Sequence, residues 1–137
     1  MKEDKERTYA FDFDGVIAEY QGFIGPRIAG KPREEIVKVI RALKKEGKIV
    51  IAHSTRDSGF LKEYCEKYDI PIDYYNESPL MEGENKGKPI AKVYIDDRAL
   101  CYKGQSAEVL LEELKQFKVY RDKKNIWQLF IFPYAIF

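Results

Sequence analysis

The chain has 137 residues, of which 45% are hydrophobic and 34% charged, and its formal net charge is +1. This length favours one domain around one core, spanning residues 1–137, and the balanced charge provides no strong nucleic-acid signal and does not favour an anionic membrane surface. Residues 1–7 form a charged tail without the apolar stretch of a signal peptide. The isolated Cys65 and Cys101 are typical of reduced thiols, so we expect a cytoplasmic location.

The first predicted strand covers residues 8–13 and carries an acidic pair at its end. A strand directs alternate side chains to the same face, so Asp12 and Asp14 point the same way. Two carboxylates at such a position repel each other unless a cation or a shared proton relieves them. The pair therefore predicts a metal site or acid–base chemistry. Gly15 opens a glycine-rich flap loop or short hairpin over residues 15–31.

Three helices are predicted from capping residues and apolar spacing. One follows Pro32 and ends at Gly47, a second covers residues 57–68, and a third is capped by Ser106. Their predicted inner side chains are Ile36, Val39, Ile40, Leu43, Phe60, Leu61, Tyr64, Cys65, Val109, Leu110, Leu114 and Phe117.

Three further strands are predicted, over residues 48–52, 70–75 and 92–95, with a polar loop over 76–88. Strands that alternate with helices favour right-handed crossovers, and hence an α/β fold in which helices sandwich a Rossmann-like parallel sheet. Ligands of such sheets bind beyond the carboxyl ends of the strands. The polar side chains at the carboxyl ends of the predicted strands are Asp12, Asp14, Ser54, Asp96 and Asp97. We therefore expect one site at this edge of the sheet.

In chain order, these residues resemble the four motifs of the haloacid dehalogenase-like (HAD) phosphohydrolases. The resemblance runs from about residue 8 to about residue 117. It consists of Asp-Phe-Asp-Gly-Val at 12–16, a serine ending the second strand, a lysine, and the acidic pair within residues 94–98. Residues 87–98 also resemble small bacterial and phage members of that superfamily. The resemblance implies a hydrolase acting on phosphate monoesters.

The resemblance implies different roles for the two leading carboxylates. Asp12 attacks phosphorus and forms an aspartyl-phosphate, and Asp14 is the general acid and base. It also implies a Mg²⁺ site formed by Asp12, the main-chain carbonyl of Asp14, Asp96, and Asp97 either directly or through water. Neutralising an anionic phosphate is what allows a carboxylate nucleophile to approach it.

The remaining motif residues are predicted to hold the phosphate. Ser54 donates a hydrogen bond to a phosphoryl oxygen, with Thr55 as the alternative, and a lysine neutralises another oxygen. Lys88 is favoured because the Lys-Pro pair matches the family phrase, Lys86 is the rival, and Lys92 falls inside a strand. The predicted substrate-binding residues are Gly15, Thr55 and Arg56. Arg56 is either such a contact or a structural partner for a carboxylate, and His53 is a packing or hydrogen-bonding residue.

Members of this superfamily usually obtain selectivity from a cap domain inserted after the first strand or before the lysine. Neither position has room here, so the chain resembles a capless member. An open site favours an exposed phosphate on a macromolecule, unless subunit packing closes the site over a small phosphorylated metabolite. Candidate substrate contacts are Tyr20, Gln21, Phe23, Tyr74, Tyr75 and Asn76.

The apolar segment 125–137 is too short to span a bilayer. We expect it to pack on the core or on a second subunit, which would make a homo-oligomer. The alternatives are a peripheral membrane contact or a disordered, aggregation-prone tail. A non-catalytic phosphate- or metal-binding or assembly protein on the same scaffold is the alternative function. A response-regulator-like phospho-acceptor fits poorly, since its neighbouring acidic pair would follow the first strand and not the last.

Overall fold

The computed structural model describes residues 2–84 and 88–120. The predictions for Lys86 and for the apolar segment 125–137 lie outside the described residues. The elements in chain order are α1 (Lys2–Glu6), β1 (Thr8–Asp12), α2 (Glu34–Lys45), β2 (Ile49–His53), α3 (Ser58–Lys67), β3 (Tyr74–Tyr75), β4 (Glu77–Ser78), β5 (Met81–Glu84), β6 (Val93–Ile95) and α4 (Ala107–Gln116).

Four of the strands form a parallel sheet in the order β3-β2-β1-β6. In its register Asp12 lies beside His53 of β2, and Phe11 lies beside Ile95 of β6. The chain moves outward from β1 to β3 and then returns to the opposite side of β1. The order of the strands therefore reverses between β1 and β6, and ligands bind at such a reversal in open α/β sheets. The predicted α/β class, with a Rossmann-like parallel sheet flanked by helices, is confirmed.

The main core lies between one face of the sheet and helices α2 and α3. Phe11 and Phe13 are fully buried there, and Ile40 of α2 and Leu61 of α3 pack into the same cluster. Tyr64 meets Phe13 edge-on, with ring centroids 4.8 Å apart. This packing anchors β1 on one side and leaves its carboxyl end at the edge of the sheet.

Helix α2 buries a slightly different face from the one predicted. Val37 is 7% exposed and Ile40 is fully buried, whereas Val39 is 47% exposed, so its predicted inward position is wrong. Val39 lies about 200° around the helix axis from Val37, on the solvent side.

Helix α4 also differs from its prediction. None of its described residues is buried, and Val109, Leu114 and Phe117 are 50%, 55% and 38% exposed. The second face of the sheet is a small cluster of Ala10, Ile51 and Ala91, with Tyr74 and Tyr94 packed against it. Within the described part of the chain, the predicted inward positions of Val109, Leu114 and Phe117 are therefore wrong, whereas Leu110 is half-buried.

Three local assignments are corrected by backbone pairing. The predicted loop 76–88 contains the antiparallel pair β4 and β5, and the predicted strand 70–75 pairs with β2 only at Tyr74 and Tyr75. The predicted charged tail contains the short helix α1. Polar composition alone does not reveal these short elements, because each is defined by a few backbone hydrogen bonds.

Candidate active site

Three carboxylates meet where the strand order reverses. Asp12 ends β1, and Asp96 and Asp97 directly follow β6. Each offers an oxygen, and the three oxygens lie within 4.8 Å of one another. Clustered carboxylate oxygens are the donors that hard divalent cations such as Mg²⁺ prefer, so the donor set fits the metal that the motifs imply. The structure thus brings together three of the predicted ligands.

The electrostatics of the cluster are visible in Asp12. Burial first, and then the nearby charges of Asp96 and Asp97, raise its pKa from 3.8 to about 7, although the Phe13 N–H opposes the shift. That N–H donates to Asp12 Oδ1 at 2.9 Å. Without a cation, Asp12 is therefore about half protonated near pH 7, whereas an ordinary aspartate is fully ionised there.

Gly15 is required next to the cluster by sterics as well as by backbone conformation. Its φ is +87°, in the region that favours glycine, and a Cβ there would lie 2.3 Å from Asp97 Oδ2. Even alanine would displace the Asp97 carboxylate. Gly15 therefore leaves the space that the Asp97 carboxylate occupies in the cluster. Its predicted role in substrate binding stays a prediction.

A small pocket includes Asp12 in its lining. It has a volume of about 230 Å³ and is lined by Asp12, Asp14, Tyr20, Phe23, Ser54, Thr55, Arg56 and Arg98. Five of the predicted site residues meet there, with two aromatic side chains from the flap. Arg98 was not predicted as a site residue, and its position directly after the acidic pair is the signal that was available.

Ser54 is held so that its hydroxyl hydrogen remains available. Its Oγ accepts from the Arg56 N–H at 3.1 Å, and its own N–H donates to Asn76 Oδ1 at 2.8 Å. A hydroxyl that accepts one hydrogen bond still has a donor. The Asn76 amide also donates to the Arg56 carbonyl at 3.2 Å and to Ser58 Oγ at 3.0 Å. Asn76 therefore orders the Ser54–Ser58 turn, a role that its sequence position did not reveal.

Asp14 is engaged by a buried arginine. Arg56 Nε donates to Asp14 Oδ2 at 2.8 Å, and Nη2 donates to Asp14 Oδ1 at 3.1 Å. The Arg56 side chain is only 4% exposed, and it also lies 5.3 Å from the ring centroid of Phe60. Of the two roles considered for Arg56, the structure supports the carboxylate partner.

The same guanidinium fastens the flap. Arg56 Nη1 donates to the carbonyls of Gly25 and Pro26, at 2.9 and 3.0 Å. The base of the flap is closed by the Glu19 N–H, which donates to the Lys31 carbonyl at 2.8 Å. Next to this bond, Tyr64 Oη donates to the Gly30 carbonyl at 2.6 Å. The flap predicted over residues 15–31 is thus a tethered loop whose position depends on Arg56.

Lys88 lies beside the pocket and does not line it. Its Nζ is 4.5 Å from the ring centroid of Tyr94. Tyr94 in turn packs edge-on against His53, at 6.3 Å between centroids. Burial lowers the pKa of His53, and the charge of Lys88 lowers it further against the opposing effect of Asp96, which fits the predicted packing role. Lys92 is placed at the opposite end of the sheet, where its N–H donates to the Thr8 carbonyl at 2.8 Å.

A larger cavity is lined by Gly15 and by two carboxylates of the acidic cluster, but not by Asp12. Its volume is about 870 Å³, and Asp96, Asp97, Glu19, Lys31 and Arg33 are among its lining residues. Among the described residues, Asp14 and Ser54 line the small pocket but not this cavity.

The chain matches no model of a known protein family and no curated protein. Among solved structures, it is similar to one described as a conserved protein coded by a locus of Bacteroides thetaiotaomicron. The two share 24% sequence identity, over 81% of this chain and 91% of the other, with a TM-score of 0.55. At this identity the likeness concerns the fold, and it agrees with the parallel α/β arrangement. Within the described part of the chain, no helix has the length and apolar character needed to cross a bilayer.

Proposed function

We propose that this chain is a Mg²⁺-dependent phosphatase that hydrolyses a phosphate monoester through an aspartyl-phosphate on Asp12. The observation that carries the proposal is the small pocket in which Asp12, Asp14 and Ser54 meet, directly beside the three-carboxylate cluster. The order of the motifs along the chain, which resembles that of the HAD phosphohydrolases, is the second support.

Each side chain has a role in this proposal. Asp12 attacks phosphorus in line, the bond to the leaving oxygen breaks, and water then hydrolyses the acyl phosphate to release inorganic phosphate. The Ser54 hydroxyl donates to a phosphoryl oxygen. Arg98 lines the pocket and adds a positive charge there. Lys88, whose Nζ lies over the Tyr94 ring, is proposed to neutralise a phosphoryl oxygen once substrate is bound. Bound Mg²⁺ would keep the clustered carboxylates ionised and neutralise charge on the phosphoryl group.

Asp14 must exchange partners during this reaction. Its two carboxylate oxygens accept from Arg56 at 2.8 and 3.1 Å. To protonate the leaving oxygen, the carboxyl group has to release at least one of these bonds, take up a proton and turn towards the substrate. Because Arg56 also holds Gly25 and Pro26, the exchange is coupled to the flap.

Magnesium binding is expected to weaken as the pH falls below about 7. The ligand form of Asp12 is deprotonated, and the pKa of this group in the metal-free chain is about 7. Protons therefore compete with the metal, and the apparent Kd should rise up to about tenfold per pH unit below that value. Isothermal titration with Mg²⁺ between pH 5.5 and 8 measures this. An affinity independent of pH would contradict a site that includes Asp12.

The direct test of the function is hydrolysis of p-nitrophenyl phosphate by the full chain. We expect turnover with Mg²⁺, loss of turnover with excess EDTA, and recovery when Mg²⁺ is restored. Wild-type activity that persists in EDTA would exclude the proposed metal dependence. A matched sulfate ester, p-nitrophenyl sulfate, should remain uncleaved under the same conditions.

One observation favours the alternative, a non-catalytic phosphate- or metal-binding protein. The bidentate Arg56–Asp14 pair occupies the carboxyl group that would act as the acid. A chain of this kind would bind Mg²⁺ and inorganic phosphate but give no turnover on any ester. The two functions therefore separate in the same assay, provided that binding and hydrolysis are measured together.

A further inference from the structure

We infer that the substrate is a phosphate monoester with a planar aromatic ring, of the nucleoside monophosphate class, and that Phe23 stacks against the ring. This inference rests on the proposed phosphatase function and extends it to the choice of substrate. Its basis is the size of the small pocket, the direction of the leaving group and the position of Phe23.

The small pocket cannot enclose a whole metabolite. Pockets that enclose ligands of drug size have volumes of ~300–1,000 Å³. The pocket over Asp12 has about 230 Å³, which suits a phosphoryl group and the first atoms of its ester. The rest of the leaving group must therefore lie over the rim.

The position of the general acid determines which part of the pocket rim the leaving group crosses. The group that protonates the leaving oxygen must lie within hydrogen-bond reach of it. Asp14 has this role in the proposal, and it lines the small pocket with Tyr20 and Phe23, whereas the larger cavity is lined by Asp96 and Asp97. The leaving group consequently passes the aromatic side of the pocket and not the side of the larger cavity.

Phe23 is the apolar surface at that side. Its side chain is 62% exposed, and it lines the pocket that contains Asp12. A single exposed apolar residue needs no explanation in general. Phe23, however, is held in place, because the Arg56 Cζ lies 5.3 Å from its ring centroid and Arg56 also binds the flap carbonyls of Gly25 and Pro26. A ring that is fixed and exposed at the mouth of a phosphate-sized pocket fits a stacking surface for a base, since every nucleobase has a π-face.

The test compares two substrates that share one leaving oxygen. Adenosine 5′-monophosphate and ribose 5-phosphate both release a primary ribose hydroxyl, so a difference between them reports the base. For the full chain with Mg²⁺ we expect kcat/KM to be about tenfold higher for the nucleotide. Phe23→Leu, which keeps apolar volume but removes the ring, should abolish this preference, and Phe23→Trp should keep or increase it. Ile24→Ala is the matched control, since Ile24 is an exposed flap residue outside the pocket lining and its loss should leave the preference unchanged.

The outcomes separate this inference from the proposed function. Equal kcat/KM for the two substrates, or a preference that survives Phe23→Leu, would overturn the stacking role while leaving the phosphatase intact. Absence of turnover on both, and on p-nitrophenyl phosphate, would count against the phosphatase itself. In that case the inference is decided by equilibrium binding of the two compounds to the wild-type chain and to the Phe23→Leu variant. Tighter binding of the nucleotide that depends on Phe23 supports it, and equal binding rejects it.

Discussion

Replacing Asp12 with asparagine is expected to abolish hydrolysis of phosphate esters while stabilising the metal-free chain. The substitution removes the nucleophile, and single substitutions of this kind reduce kcat by about 10⁴-fold or more. It also removes one of three carboxylates whose oxygens lie within 4.8 Å of one another. A residue that is unfavourable for folding and essential for activity is the pattern expected of a functional site.

The stabilising effect of Asp12→Asn should depend on pH in a defined direction. The pKa of Asp12 is raised from 3.8 to about 7, so the folded state holds this proton more tightly than the unfolded state does. The wild-type chain is therefore stabilised by protonation of Asp12. This contribution is complete below pH ~4 and is lost as the pH rises through about 7, whereas asparagine does not titrate. In EDTA, the wild-type melting temperature should therefore fall relative to that of the variant between pH 5 and pH 8.

The matched control for Asp12→Asn is Asp57→Asn. Asp57 caps α3 by accepting from the Phe60 N–H at 3.1 Å, and asparagine caps helices about equally well. The control should retain both activity and melting temperature. Turnover by the Asp12→Asn variant would remove Asp12 from the nucleophile role. A melting-temperature difference that is the same at pH 5 and pH 8 would contradict the close approach of the three carboxylates.

Arg56→Met is expected to have the largest effect on folding. It leaves Asp14 without its bidentate partner and removes two hydrogen bonds to the flap carbonyls. Breaking a buried ion pair by removing one member costs about 3–5 kcal/mol, and the 22% exposure of the Asp14 side chain places the expected loss at about 3 kcal/mol. Denaturant unfolding measures it, and faster proteolysis within residues 20–30 should accompany it as the flap is released.

Three comparisons test whether the Arg56 effect comes from its fork, the planar pair of N–H donors that binds Asp14. Arg56→Lys keeps the charge but has no planar pair of donors, so it should restore only part of the lost stability. In a double-mutant cycle with Asp14→Asn, the coupling energy should reach at least about 1 kcal/mol. Arg98→Met, an exposed arginine that lines the same pocket, should stay within about 0.5 kcal/mol of the wild type. An Arg56→Met variant as stable as this control would show that the fork does not hold the flap.

The general plan of the site was predictable because it depends on order and periodicity along the chain. Apolar runs that alternate with helical patterns imply a parallel sheet, and parallel strands place their carboxyl ends at one edge. As predicted, these residues lie at carboxyl ends of strands: Asp12 ends β1, Ser54 follows β2, and the Asp96–Asp97 pair follows β6. Helix α3 likewise has the predicted inner face, with Phe60, Leu61, Tyr64 and Cys65 buried.

Predictions failed where the answer depends on a neighbouring element. The apolar pattern of α4 correctly indicates a helix, but whether Val109 and Leu114 are covered depends on what packs against them, and both are exposed here. The short pair β4 and β5 exists through backbone hydrogen bonds that a polar sequence does not reveal. In the first case local preference identifies the helix but not what covers it, and in the second case pairing between two segments overrides a local preference for a loop.

The sequence by itself determined the class of fold and the strand ends at which the carboxylates meet, because both depend on the periodicity and order of residues along the chain. The tertiary structure decided which groups touch. It paired Arg56 with Asp14, placed Asp97 where Gly15 lacks a Cβ, and kept Lys88 outside the pocket lining. Such contacts are fixed by side-chain positions a few ångströms apart between segments distant in sequence, and no local pattern specifies them.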